Sequence, residues 1–236
     1  MSKQLRIAIF SDIHGNLSGL DACLADLQAQ GGADIYVAAG DLCMDGPKPK
    51  KVLQRLQEIG AQSEGEMEGA DAADRKQVEW QRKEIGEKWV AWLRALPFSL
   101  RFGTKKNQLL VVHANPTSDN EHLWPGAGND VLERLIGDEP AGTIAFGHLH
   151  IPYVRSWRGK TLVNVSSAGL PKDGDPRAGY AILSERSEGW EIRHRRAPFD
   201  VKKVATQLAD SGIPGSSDLI STLRRHRYKR LKSLIP

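Results

Sequence analysis

The first sixty residues constrain the fold most. Leu5, Ile7 and Ile9 mark a short apolar strand, and Leu17, Leu20, Leu24 and Leu27 then recur at helical spacing. Gly31-Gly32 stops that helix, and Ile35 to Ala39 forms a second apolar run followed by Gly40-Asp41. Pro47 and Pro49 open another helix, whose stripe is Val52, Leu53, Leu56 and Ile59, closed by Gly60. Strand–helix–strand–helix with short connections predicts a βαβα unit and a sheet that is at least partly parallel.

The rest of the chain changes character twice. Gln62 to Asp74 is acidic, Gly-rich and poor in large apolar residues, and reads as a loop. One long helical pattern follows through Val78, Ile85, Trp89, Trp92, Leu93 and Leu96, stopped by Pro97, with Trp80 off its stripe. From Ser99 on, short strands dominate. Leu100–Phe102 and Leu109–Val112 form a hairpin pair, Thr143–Phe146 a single strand, and 153–157 with 161–165 and 180–184 with 190–194 two more pairs. Their turns are short enough to require antiparallel pairing. A last helix covers Val201 to Ala209, with Asp200 as its cap.

Polar residues stand directly after the apolar strands: Asp12 and His14, then Asp41, then His113, then His148 and His150. In an open α/β sheet such positions gather at one edge, outside the carboxyl ends of the strands. Any one of them has a plain explanation as a helix cap or a hydrogen-bonded histidine. Together, two Asp and four His are the right types for divalent transition metals. Six is too many for one tetrahedral ion and suits two ions sharing a carboxylate, with Asp41 placed to bridge.

These residues resemble the calcineurin-like metallophosphoesterases, and most of all the small bacterial and archaeal phosphodiesterase branch. The resemblance rests on Ser11-Asp12-Ile13-His14-Gly15-Asn16, on Gly40-Asp41 running to Asp45-Gly46-Pro47, and on Phe146-Gly147-His148-Leu149-His150-Ile151-Pro152. It continues through Gly169-Leu170-Pro171-Lys172-Asp173-Gly174-Asp175-Pro176-Arg177-Ala178-Gly179-Tyr180 and spans roughly 5 to 210. The implied fold is α/β, a four-layer α-β-β-α sandwich of two packed mixed β-sheets flanked by helices. The implied organisation is a single domain over 1–210 with a basic C-terminal extension over 211–236.

By position, the resemblance gives Asp12, His14 and His150 to one metal, His113 and His148 to the other, and Asp41 to both. The family's further ligand is an Asn after Gly, which this chain lacks; Glu66 in Gly65-Glu66-Met67-Glu68 stands nearest in place, and Met67 replaces the imidazole that follows in the family. The family's Asn-Pro-Gly-Ser turn is here Asn164-Val165-Ser166-Ser167. The implied activity is a binuclear metal-dependent phosphoesterase, acting on phosphodiesters in preference to monoesters by attack of a metal-bridging hydroxide. Manganese is the foremost metal, with Fe, Zn and Ni compatible with the same ligands. Asn16 is placed either to contact a phosphate oxygen or to cap the following helix. Asp45 is a candidate partner for a ligand's second ring nitrogen. His122 is either a proton donor to the leaving group or a solvent-facing loop residue. The altered third motif leaves a second class open, a metal-binding scaffold or regulator of weak or no catalysis.

Composition adds limits. No apolar run reaches the roughly 20 residues a membrane-spanning helix needs. Met1 to Gln4 leads into a strand rather than a signal peptide, so the expected compartment is the cytoplasm. Cys23 and Cys43, the only cysteines, read as buried thiols rather than a disulfide framework. Thr222 to Pro236 holds six of the 33 basic residues and no acid, leaving 27 against 29 acids elsewhere. That tail could engage nucleic acid, which would make the enzyme a nuclease, but a run with only Tyr228 interleaved reads better as a solvated helix end. A phosphate ester is the expected partner, and the oligomeric state is open.

Overall fold

The computed structural model describes residues 4–64 and 75–228. The chain begins β1 (Arg6–Phe10), α1 (Leu17–Ala29), β2 (Ile35–Ala39), α2 (Pro49–Glu58), β3 (Gln62–Glu64), α3 (Arg75–Ile85) and α4 (Glu87–Arg94). It continues β4 (Leu100–Phe102), β5 (Leu109–Val111), α5 (Asn129–Ile136), β6 (Thr143–Phe146), β7 (Tyr153–Trp157) and β8 (Lys160–Asn164). It ends β9 (Ala178–Arg186), β10 (Gly189–Ala197), α6 (Val201–Asp210) and α7 (Ser216–Arg225).

Two five-stranded sheets result, in the orders β10-β9-β1-β2-β3 and β4-β5-β6-β8-β7. Each is mixed. β1, β2 and β3 run parallel, as do β5, β6 and β8, with antiparallel strands at the margins. Strand alternation decides the layering. On β1, Ile7 and Ile9 face the second sheet and meet Leu109, Val111, Ala145 and Val163 in a shared apolar layer. Ala8 and Phe10 point the other way, against Leu20, Leu53, Leu56 and Trp89 of the helices. Beyond the second sheet, Ile144, Phe146 and Leu162 pack on Leu132, Leu135 and Ile136 of α5. The four layers are therefore helix, sheet, sheet, helix, as expected.

Two expectations need correction. The long helix between 78 and 96 is two helices, because Gly86 takes φ 83°, ψ 162° and starts α4 in a new direction. Only glycine enters that backbone region at little cost. The loop predicted from Gln62 begins as a strand: Gln62, Ser63 and Glu64 pair with Val37, Ala38 and Ala39 of β2. Pairing with an existing strand overrides the weak apolar content of these residues. The basic C-terminal stretch also contains a full helix, α7, whose Leu223 is buried. Its apolar face meets Val204, Ala205 and Leu208 of α6, together with Trp80 of α3 and Leu170. Residues on both sides of 210 thus share one apolar cluster.

Candidate metal centre

The parallel strands of both sheets end at a common edge, and the loops that leave them are joined by backbone hydrogen bonds. Asp12 N–H donates to the Gly40 carbonyl at 3.2 Å, His14 N–H to Asp41 at 2.8 Å, and Gly147 N–H to His113 at 2.8 Å. Ala168 and Gly169 N–H groups donate to Ser11 and Asp12 at 2.9 and 3.0 Å. These contacts fix where each polar side chain begins. They also impose unusual backbone angles: Asp12, His14, Asp41, His148 and His150 all have φ between 47° and 64°. Such angles cost energy for residues other than glycine and collect where function requires them. Two glycines make room. A Cβ on Gly40 would lie 2.3 Å from His113 Nδ1, and one on Gly147 2.3 Å from Asp12 Oδ2.

The six strand-end residues meet as two groups that share Asp41. Asp12, His14, Asp41 and His150 form one, and Asp41, His113 and His148 the other, each with ligand atoms within 4.8 Å of one another. His150 Nε2 lies 3.1 Å from Asp12 Oδ1 and 3.3 Å from His14 Nε2. Asp41 Oδ2 lies 3.4 Å from His14 Nε2 and 3.7 Å from His113 Nε2. His113 Nε2 and His148 Nδ1 are 3.0 Å apart.

The outer ring nitrogens decide what these inner ones can do. His14 Nδ1 meets the Met44 carbonyl at 3.1 Å, His113 Nδ1 that of Ala39 at 3.1 Å, and His148 Nε2 that of Asn120 at 3.0 Å. His150 Nδ1 meets the Leu170 carbonyl. A carbonyl can only accept, so each outer nitrogen carries a proton, and a ring in its neutral form turns a lone pair inward. Lone pairs facing one another across 3.0 and 3.3 Å repel unless a cation lies between them. The donor set therefore fits divalent metal.

Electrostatics agree. Burial alone would raise the Asp12 pKa, but His150, His113 and His14 outweigh it and hold the carboxyl well below its usual range. Asp41 behaves likewise, with His14 and His113 overcoming burial. Burial, reinforced by His113 and His122, lowers His148 to about 4. Burial, reinforced by Lys172, lowers His150 to about 4. Near neutral pH the cluster holds two carboxylates, and His148 and His150 are unprotonated.

The remaining predicted residues divide. Asn16 caps α1 by accepting from Gly19 N–H at 3.0 Å, and its amide donates to the Gly169 carbonyl at 2.7 Å, so of its two expected roles the cap is seen. Asp45 Oδ2 stands 3.8 Å from His14 Nδ1, farther than the Met44 carbonyl. His122 is half-buried rather than solvent-facing: its ring lies 4.3 Å from that of His148 and stacks on Trp124 at 5.4 Å. Glu66 lies outside the described residues. Sequence reasoning missed the groups that hold the loops. Asn164 donates to the Gly147 carbonyl and accepts from Ser166 N–H, and Ser167 Oγ donates to the Asp12 carbonyl at 2.8 Å. The altered Asn164-Val165-Ser166-Ser167 turn thus still ties both halves of the centre. Lys172, 3.5 Å from His150 Nε2, was also missed. Burial pulls its pKa down while Asp12 and Asp41 push it up, with a lowered value as the result.

Residues 5–188 match the model of the calcineurin-like phosphoesterase superfamily domain. The chain belongs to the calcineurin-like phosphoesterase superfamily. Its relatives include the uncharacterized protein MJ0912 of Methanocaldococcus jannaschii, 28% identical over 88% of this chain and 93% of that one. Among solved structures, a metallophosphoesterase from Sphaerobacter thermophilus superposes with a TM-score of 0.73 at 21% identity, covering 95% of this chain and 100% of that one. The hypothetical protein PH1004 of Pyrococcus horikoshii gives 0.77 at 17% identity, covering 94% and 98%. At those identities the likeness is one of fold. A calcineurin-like phosphoesterase domain with clustered metal-ligating side chains is a metal-dependent phosphoesterase in the general sense. Among the described residues no helix is long and apolar enough to cross a membrane.

Proposed function

We propose that this protein hydrolyses phosphodiesters at a two-metal centre, with Asp41 shared between the ions. The observation that carries the reading is the set of four histidines with protons fixed outward, converging in two groups on one carboxylate. Asp12, His14 and His150 would hold one ion, and His113 and His148 the other. Ions held there supply Lewis acidity toward phosphoryl oxygens and a water ionised near neutral pH.

The chain's own residues provide the rest. The carbonyl acceptors keep each imidazole in one tautomer and one orientation, so no ligand must turn during turnover. Asp12 accepts from His148 N–H through both of its oxygens, at 3.1 and 2.9 Å, which helps to fix its carboxylate beside His150. His122 stands beside His148 at the mouth, and burial, aided by Lys172, lowers its pKa. It is therefore neutral near pH 7, suited to a hydrogen bond with the leaving group rather than to cationic acid catalysis. Manganese is the metal to try first, since two carboxylates with four imidazoles suit it, though Fe, Zn and Ni fit the same donors.

The test is turnover of bis(p-nitrophenyl) phosphate and p-nitrophenyl phosphate by protein loaded with Mn²⁺. The diester should be hydrolysed faster. Asp41→Asn should reduce the rate by about 100-fold or more, the loss of several kcal/mol of charge stabilisation. No turnover of either ester by protein that holds two ions would sink the proposal.

A further inference from the structure

The matched family domain ends at residue 188, yet the chain returns to the centre forty residues later. After α7, His226 takes φ 53° and turns the backbone toward the loop before β9. Gly174 N–H donates to the His226 carbonyl at 2.7 Å, and Asp173 and Arg227 form an isolated antiparallel bridge. Gly174 allows this approach: its φ is 95°, and a Cβ there would meet Arg227 Nε at 2.8 Å. One residue further, the Tyr228 hydroxyl donates at 2.8 Å to the carbonyl of Leu149, the residue between His148 and His150.

Tyr228 thereby sets its ring against Lys172, whose Nζ lies 5.1 Å from the ring centroid, within cation–π reach. Lys172 is also tied by its backbone N–H to the His150 carbonyl at 3.2 Å. Its Nζ points at His150 Nε2, 3.5 Å away. Among the described residues no carboxylate lies within ion-pair distance of this ammonium. When the His150 lone pair is given to a metal, the ammonium loses that acceptor and faces a second cation. Asp12 and Asp41 offset part of that repulsion, and an anion placed beside both cations would give the ammonium a hydrogen-bonding partner again.

We infer that Lys172 binds a phosphoryl oxygen of the substrate at the metal centre, and that Tyr228, carried in by the C-terminal segment, positions it. The inference rests on the phosphoesterase reading above and deepens it. A cation on a flexible stem contributes charge and up to three hydrogen bonds to a phosphoryl group. The segment beyond the matched domain then becomes part of the active site.

Calorimetric binding of inorganic phosphate to Mn²⁺-loaded protein tests this directly. Lys172→Gln should weaken phosphate about tenfold with metal content unchanged, and raise KM for the diester more than it lowers kcat. Lys172→Arg should recover most of the affinity. Tyr228→Leu should weaken phosphate less than Lys172→Gln, Tyr228→Phe less again, and Tyr228→Leu should add nothing in the Lys172→Gln background. Unchanged phosphate binding in Lys172→Gln, loss of metal from it, or additive effects of the two substitutions would each overturn the inference. Protein that binds metal and phosphate through Lys172 but cleaves no ester would instead remove the phosphoesterase reading alone. Normal hydrolysis that is indifferent to Lys172→Gln would remove the Lys172 assignment alone.

Discussion

At the scale of single residues, protons are the informative quantity. His122, His148, His150, His194 and His226 all have pKa values lowered chiefly by burial. An unfolded histidine titrates near 6.5. Below that pH the unfolded chain binds more protons than the folded one, so stability falls as pH falls. The metal-free protein should therefore melt at progressively lower temperature between pH 7 and pH 5, as followed by circular dichroism. A melting temperature that is flat or rises over that range would contradict the burial of neutral histidines. The six ligand candidates were legible in the sequence because each follows an apolar strand directly. The carbonyls of Met44, Ala39, Asn120 and Leu170 were not, because a backbone acceptor has no residue signature and depends on how loops fold against one another. Lys172 escaped for a related reason: only the chain's return at Tyr228 reveals what it faces.

At the scale of elements, hydrophobic period located strands and helices well, and glycine geometry located the breaks less well. Val78 to Leu96 keeps a helical stripe across Gly86, so the period alone reads one helix where there are two. Nothing lies within 4 Å of a Cβ built on Gly86, so the penalty of a side chain there is conformational rather than steric. Gly86→Ala should destabilise the protein by about 1–3 kcal/mol in urea unfolding, the usual cost of holding L-residues in such a region. No change would mean that α3 and α4 can merge into one helix. The strand β3 was missed for another reason. Three polar residues carry no hydrophobic period, and only the open edge of β2 selects them.

At the scale of the whole molecule, two sheets bring five loops to one edge, and the C-terminal helices close part of it. A small space of about 10 Å³ lies between His14, Asn16 and Asp45 on one side and Leu208, Leu219 and Leu223 on the other. The four-layer sandwich was legible from the order of elements and the family motifs. The docking of α7 was not, since the basic residues that follow draw attention from Leu219, Ile220 and the fully buried Leu223, which pack it on α6. If α7 belongs to the folded unit, Leu223→Ala should cost about 2–5 kcal/mol of stability. A cost under 0.5 kcal/mol would return the segment to the status of an extension.

The proposed two-metal centre depends on one carboxylate, Asp41, shared between two groups of imidazoles. Elemental analysis of protein equilibrated with Mn²⁺ and freed of excess metal measures that directly. Two ions per chain are expected, falling to one or none in Asp41→Asn. One ion per chain in the wild-type protein, or two in Asp41→Asn, would contradict it.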